Sequence, residues 1–443
     1  MLRSTRNASL WSYATSKIRR PAGRGGQPQA WEVRLRDGGA QATGPAQNPS
    51  SASTRGLDWF TFFVADIQTG FGPFLSVYLT TQKWTQTDIG LVLSLGSIAG
   101  LLGQIPGGWA VDTAKSKRGI AVLAVLGIGF SALLIAASPL FLSIVAAKLL
   151  HVGASSVLGP AIAAITLGLV GYAAIGPRLG RNARFASLGN GIAAAVMGAC
   201  GYFISAQAVF YVTAALAVPT IWALLRIRED EIDPLTADGG LAQQNGPAQI
   251  SVVEVVRKPA LLVLMAAVML FHTANAAMLP LVGSAMATRS SQWATALVAA
   301  CIIVPQLIVA AISPKVGQLA QSWGRRPMLL IGLGALPVRG VLFAFTDDPF
   351  AIVAVQMLDG ISASVLGVLV ALTIADVTRG TGRFNLVQGI VGCAAGTGAA
   401  VSTIAAGYLA DRVGTPVTFF SLAAIAGAGW LLVLTAMPET RTE

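Results

Sequence analysis

The chain has 443 residues, 54% hydrophobic and 11% charged, and a formal net charge of +11. A water-facing globular surface carries about 25% charged residues, so this composition argues against a soluble protein. The positive charge collects between apolar stretches and forms no nucleic-acid-binding patch, which excludes nucleic acid as a partner.

Residues 1–56 form a basic tail rich in Gly, Pro, Ser, Gln and Ala, with no apolar core of the kind a secretory signal needs. It reads as a disordered cytoplasmic tail or the product of a start placed upstream, with an organellar presequence as the alternative. Apolar runs then predict spans at 58–80, 87–111, 119–137, 140–170, 184–205 and 208–227. After a polar connection come 258–286, 292–314, 327–346, 350–377, 384–408 and 415–437. Each approaches or exceeds the roughly 20 residues that cross a bilayer core. The fold class expected is an all-α membrane protein of twelve transmembrane helices in two six-helix pseudo-symmetric bundles. The bundles occupy 57–227 and 258–438, joined by a cytoplasmic linker at 228–257 and followed by a short cytoplasmic tail at 439–443.

The two arrays match in parts at an offset of about 208 residues: Ser155-Ser156-Val157-Leu158-Gly159 returns as Ala363-Ser364-Val365-Leu366-Gly367, and Trp84 returns as Trp293. Lys and Arg crowd the connections after spans 2, 4, 8 and 10, which places those loops and both termini in the cytoplasm. Six spans per copy give both copies the same topology, related by an axis along the membrane normal. Duplicated bundles of this kind are typically secondary transporters. The three cysteines, in separate apolar stretches, make neither a disulfide framework nor a CxxC pair. No HExxH-type cluster indicates a metal and no Walker-type loop indicates ATP hydrolysis, so no cofactor is expected.

Between spans 2 and 3, Gly108-Trp109-Ala110-Val111-Asp112 precedes the basic Lys117 and Arg118; between spans 8 and 9 stand Gly317, Gln321, Gly324, Arg325 and Arg326. These runs resemble the Gly-x-x-x-Asp-Arg-x-Gly-Arg-Arg loop of the major facilitator superfamily, and the resemblance covers about residues 57–438. Thr113 stands where the family has its first arginine, and Gln321 where the second copy has its acid. The resemblance implies that Asp112 steadies the state closed to the cytoplasm by meeting span 11 near Gly382-Arg383. Asp376, Arg379 and Arg383 on that side complete the gating candidates.

Ionisable groups within spans are costly and each is a site candidate. Asp66 and Gln68 lie in span 1; His272 and Asn275 lie on span 7, which in this family lines the central cavity with span 1. Lys148 and His151 in span 4 match Gln356 and Asp359 in span 10, so His151 and Asp359 are expected to face each other from opposite halves. A proton relay through Asp66, His151 and Asp359 follows from that placement. The structural alternatives are helix capping for Asp66, snorkelling for Lys148, a backbone or basic partner for Asp359, and a helix-interface hydrogen bond for His272.

The expected function is proton-coupled secondary transport of a small amphipathic or weakly polar organic molecule, the proton being the coupling ion. Export is preferred, with nutrient uptake or uncoupled facilitation as alternatives; a membrane receptor or enzyme is the alternative of a different class. Expected partners are the substrate and membrane lipids, the working unit a monomer, and the location a bacterial inner or plasma membrane, with an organellar membrane as the alternative.

Overall fold

The computed structural model describes residues 49–69, 73–84, 86–240, 251–282 and 294–441. The tail up to residue 48, the linker's 241–250, Gly70 and Trp293 lie outside the described residues. All regular structure described is helical. In chain order the helices are α1 (Ser51–Thr69), α2 (Pro73–Thr81), α3 (Gln86–Thr113), α4 (Lys117–Ala137), α5 (Phe141–Phe203) and α6 (Ala208–Leu225). Two short linker helices follow, α7 (Pro234–Ala237) and α8 (Val252–Val256). The second copy holds α9 (Pro259–Asn275), α10 (Ala294–Trp323), α11 (Arg325–Phe345), α12 (Pro349–Thr378), α13 (Phe384–Val413) and α14 (Thr415–Ala436).

Helix α10 runs on to Trp323 where the sequence expectation ends at 314, and two other boundaries differ for visible reasons. Helix α1 starts at Ser51, not at 58, because Ser50 anchors its first turn. The Ser50 hydroxyl accepts the Ser53 N–H at 3.2 Å, and its own N–H donates to Glu231 at 3.0 Å. The second difference is at α5, which stays helical over 172–183, the place where spans 4 and 5 should be separated. Gly171, at φ +66, reverses it. A left-handed φ suits glycine, which has no Cβ to clash. Thr166 and Asn182 would stand about 24 Å apart on a straight helix, yet the Asn182 amide donates to the Thr166 hydroxyl at 2.8 Å. The second crossing therefore begins just after Gly171 rather than at 184.

Among the described residues ten helices are long and apolar enough to cross a membrane. Helix α5 supplies two crossings, and α1 with α2 supply one more, which is consistent with twelve. Their outer faces are apolar: Leu102 is 69% exposed, Phe203 80% and Ile404 76%. Surfaces like these stand in lipid, where apolar burial does not hold helices together and close packing must.

Two main cores form. One runs from Leu57 to Ala237; the other is built chiefly from residues after Val255 and takes in Leu167 and Ile175 of α5. The halves meet along α3 with α13 and α5 with α10. A Cβ on Gly108 would strike the Asn385 backbone, one on Gly389 the Gln104 carbonyl, and one on Gly180 the Ser313 carbonyl. The absent side chains let these backbones touch.

Candidate functional site

Between the halves lie two adjoining cavities of about 300 and 450 Å³, which share Gly367, Ala371 and Gln388 in their walls. The first is faced by Gln68 of α1 and by Asn182 and Asn190 of α5. The second is faced by His272 and Asn275 of α9 and Asp359 of α12. Most of the remaining lining is alanine, glycine, valine and leucine. Both walls thus offer neutral amides, and the second adds a carboxylate and an imidazole.

Asp359 is held by a residue the sequence reading did not single out. Arg339 of α11, 1% exposed, pairs with the Asp359 carboxylate and donates to the Asn275 amide oxygen at 2.6 Å. The Gln356 amide reaches the other Asp359 oxygen at 3.5 Å. An arginine this deep costs several kcal/mol unless paired, and Asp359, 24% exposed, carries that pairing at the cavity wall. The signal was present as a lone charge inside the apolar run 327–346, where any ionisable group warrants attention.

Three expected partners are not brought together. Asp66 of α1 is 4% exposed and turns against Gly189 of α5, away from both cavities. Among the described residues its Oδ1 has no hydrogen-bond partner. His151 is 7% exposed and approaches its helix neighbour Ser155 at 3.4 Å, while the Lys148 stem covers Gly96 of α3. The structure therefore does not assemble the relay of Asp66, His151 and Asp359, and His151 does not face Asp359 in either cavity. Arg339 satisfies Asp359 within its own half, while Asp66 and His151 pack inside the first.

A second buried charge cluster holds the first half together. Asp58, 2% exposed, accepts from Arg178 at 2.8 Å and from Arg181 at 2.6 Å. Arg178 also bonds Asn182 at 3.0 Å, joining the reversal in α5 to α1. On sequence these arginines mark only the orientation of the chain, and Asp58 stands at the edge of span 1.

The gating candidates gather on the face that carries the linker. The Asp112 carboxylate accepts from Asn385 N–H at 3.2 Å, the Asn385 amide at 2.8 Å and Leu386 N–H at 2.8 Å. It thereby caps α13, whose own N-cap residue Arg383 offers no side-chain cap. Helix N-termini favour negative charge. Gly108, one turn before Asp112, gives the close approach this requires. Lys117, 4% exposed, donates to the Val111 carbonyl at 2.6 Å and pairs with Asp238 of the linker at 2.6 Å. Burial pushes the Asp238 carboxyl up to about 6 against the pull of Lys117. Arg118 holds Glu229 at 2.9 Å and the Ile227 carbonyl at 2.8 Å.

In the second copy Arg325, 3% exposed, pairs with Asp376 at 2.8 Å and donates to the Ala320 carbonyl at 2.8 Å and to Gln321 at 3.2 Å. Gly317 meets the Gly176 backbone across the halves. Gly324, at φ +103, precedes α11, and Glu439 accepts from the N–H groups of Arg325 and Arg326 at 2.8 and 3.1 Å. Arg379 lies over the Tyr172 ring at 4.9 Å, another contact between the halves.

The chain matches the family model described as Major Facilitator Superfamily over residues 59–336 and 264–443. It is 41% identical over 395 residues to the uncharacterized MFS-type transporters MT2531 and Rv2456c of two Mycobacterium tuberculosis strains, covering 87% of this chain and 93% of each relative. Among solved structures it resembles the human organic anion transporter MFSD10 (TM-score 0.65, 15% identity) and a mutant of the nucleoside transporter NupG (TM-score 0.61, 14% identity). Each covers 87% of this chain and 100% of its own length. Two half-bundles around a shared cavity, the Asp112 contact with α13 and these matches agree: the chain belongs to the Major Facilitator Superfamily and is a multi-pass membrane transporter, not an enzyme.

Proposed function

We propose that this transporter exchanges protons for a small amphipathic or weakly polar organic molecule and exports it, working as a monomer in a bacterial inner or plasma membrane with the linker face in the cytoplasm. The observation that carries the reading is the Asp359 carboxylate, held by Arg339 and open to a largely apolar cavity. A proton arriving on Asp359 removes its charge and loosens Arg339, which changes what the cavity wall offers a ligand. Coupling then requires that the two access states hold that proton with different affinity. Asp66 is the second proton-carrying candidate, because a charge formed there, facing the α5 backbone, has no cation paired with it among the described residues. The neutral amides of Gln68 and of Gln388, whose Nε2 has no hydrogen-bond partner among the described residues, suit hydrogen bonds to a weakly polar ligand better than capture of a polyanion. The clustered Lys and Arg of the linker face set its cytoplasmic placement. The two structural neighbours carry different cargoes by name, so their likeness supports the fold and leaves the substrate to the cavity chemistry.

The test is transport by purified protein in proteoliposomes under an imposed pH gradient, with a panel of fluorescent amphipathic amines and neutral dyes as probes. Probe movement opposite to the proton flow supports exchange. Movement with the proton flow would reassign the protein to uptake. Asp359→Asn should abolish gradient-driven accumulation and leave equilibrium exchange of probe intact; Asp66→Asn should weaken the same coupling. Transport indifferent to the gradient and to both substitutions would make this a facilitator.

A further inference from the structure

The two copies differ at one corner, and the difference concerns the linker. Helices α4 and α11 begin at equivalent places, with Lys117 and Arg325 as their first residues. Both side chains turn back to cap the preceding span, on the Val111 and Ala320 carbonyls respectively. Arg325 takes its acid, Asp376, from span 10 of its own half. Helices α5 and α12 start at Phe141 and Pro349, the same offset of 208 residues, so the position in the first copy that matches Asp376 is Gly168. The first copy has no acid there.

The linker occupies that gap. Asp233 N–H donates to the Gly168 carbonyl at 3.1 Å, and a Cβ on Gly168 would lie 2.8 Å from Ile232 and 3.0 Å from Ala237. Seated this way, the linker delivers Asp238 to Lys117. The same few residues also grip the second half. The Asp238 carbonyl accepts the Phe384 N–H at 3.2 Å, the Gly239 carbonyl accepts the Gly380 N–H at 2.5 Å, and the Ala237 carbonyl accepts the Asn385 amide at 3.1 Å. Gly239 adopts φ +86, with Phe384 3.0 Å from where a Cβ would stand. The first three N–H groups of α13, which no residue of its own helix satisfies, are thus taken by Asp238 and Asp112, both outside the second bundle.

We infer that the linker is a working part of the gate: Asp238 supplies the acid the first copy lacks at Gly168, and residues 237–239 clasp Lys117 to the first turn of α13. Moving α3 and α4 away from α13 then requires the linker to release one half. Because it is covalently joined to both halves, its effective concentration at the released site stays high and reclosing is favoured. Asp238 is a positioning residue for the gate and touches no cargo.

The inference rests on alternating access, so the test reads conformation instead of transport. Spin labels at Lys115→Cys and Ser322→Cys, in full-length protein with Cys200, Cys301 and Cys393 replaced, report the separation of the halves on the linker face at pH 7.5. The unaltered linker should give a short and a long distance. Asp238→Lys, which sets two cations against each other, should reduce the short-distance fraction at least fivefold, and the swap Lys117→Asp with Asp238→Lys should restore it. Gly168→Leu should act like Asp238→Lys by lifting the linker. Populations unchanged by Asp238→Lys, or a swap no better than the single change, would overturn the linker's role. A parent protein showing one distance with and without a pH gradient would count against alternating access itself.

Discussion

The corner at Lys117 and the corner at Arg325 are copies of one design, yet each lacks a different part and obtains it from outside its bundle. The first keeps its helix cap, because the Ser116 hydroxyl accepts the Gly119 N–H at 2.8 Å, but lacks an acid and takes Asp238 from the linker. The second keeps its acid, Asp376, but has Gly324 at the cap position and takes Glu439 from the C-terminal segment. An internal pair serves the fold of one half. A pair supplied by a connector is available to report on the relation between halves. The second corner should therefore fail as a matter of stability, and the first as a matter of gating.

The largest expected effect tests the internal pair. Asp376→Asn leaves Arg325 buried with neutral oxygens alone, at a cost of about 3 kcal/mol. The melting temperature of the purified protein should drop by several degrees. An unchanged melt would erase the contrast between the corners, since the internal acid would then be as dispensable to the fold as the linker's.

Gly108→Leu sharpens the other side of the contrast. Its side chain would enter the Asn385 backbone and hold Asp112 off the start of α13. Transport should fall by about tenfold or more, the value of about 1.4 kcal/mol in a conformational equilibrium, while the melt of each half stays near that of the parent. A loss of folded protein in place of a loss of transport would make the contact structural.

Much of this layout was readable in advance, for identifiable reasons. A bilayer demands long apolar runs, so the spans and their duplication stand out in a single sequence. The Asp112 contact with α13 was implied by the loop's resemblance to the superfamily pattern, and it suits the preference of a helix start for negative charge. The Gly171 reversal was hidden: it is one glycine among many, and Arg178 and Arg181 beyond it mark a connection on sequence although they stand inside the second crossing. Arg339 was missed because the candidates were drawn from spans 1, 4, 7 and 10, and Arg339 stands in span 9. Asp238 was missed because the linker was read by composition alone, and the empty place it fills becomes visible only when Gly168 is set against Asp376.

Removing a cap should separate the corners again, with a smaller effect. Ser116→Ala takes away the acceptor for the Gly119 N–H at the start of α4 and should cost about 1 kcal/mol. Amide exchange over residues 117–120 should speed by about fivefold while residues 325–328 stay unchanged. Acceleration at both corners would mean that the two helix starts are coupled through the bundle and do not stand as independent copies.

The smallest expected effect is specific to the second corner and depends on pH. Burial alone would raise the Glu439 carboxyl, but the N–H groups of Arg325, Arg441, Arg326 and Thr440 together outweigh it and hold the group below its ordinary 4.5. A carboxyl depressed in the folded state contributes stability above its ordinary value, and that contribution is lost as pH falls through the depressed one. The start of α11 should accordingly loosen below about pH 4.5, while the start of α4, capped by a hydroxyl, should show no step there, its Lys117–Asp238 pair responding at higher pH because the Asp238 carboxyl is pushed up to about 6. Glu439 is exposed to solvent and screened, so the effect belongs to the lower part of the range for charges at helix ends, about twofold in local amide exchange over residues 325–328. Glu439→Gln should flatten that acid step, because its amide oxygen still accepts but carries no charge to lose. A step of equal size at both corners, or one that persists in Glu439→Gln, would show that the tail does not supply the missing cap.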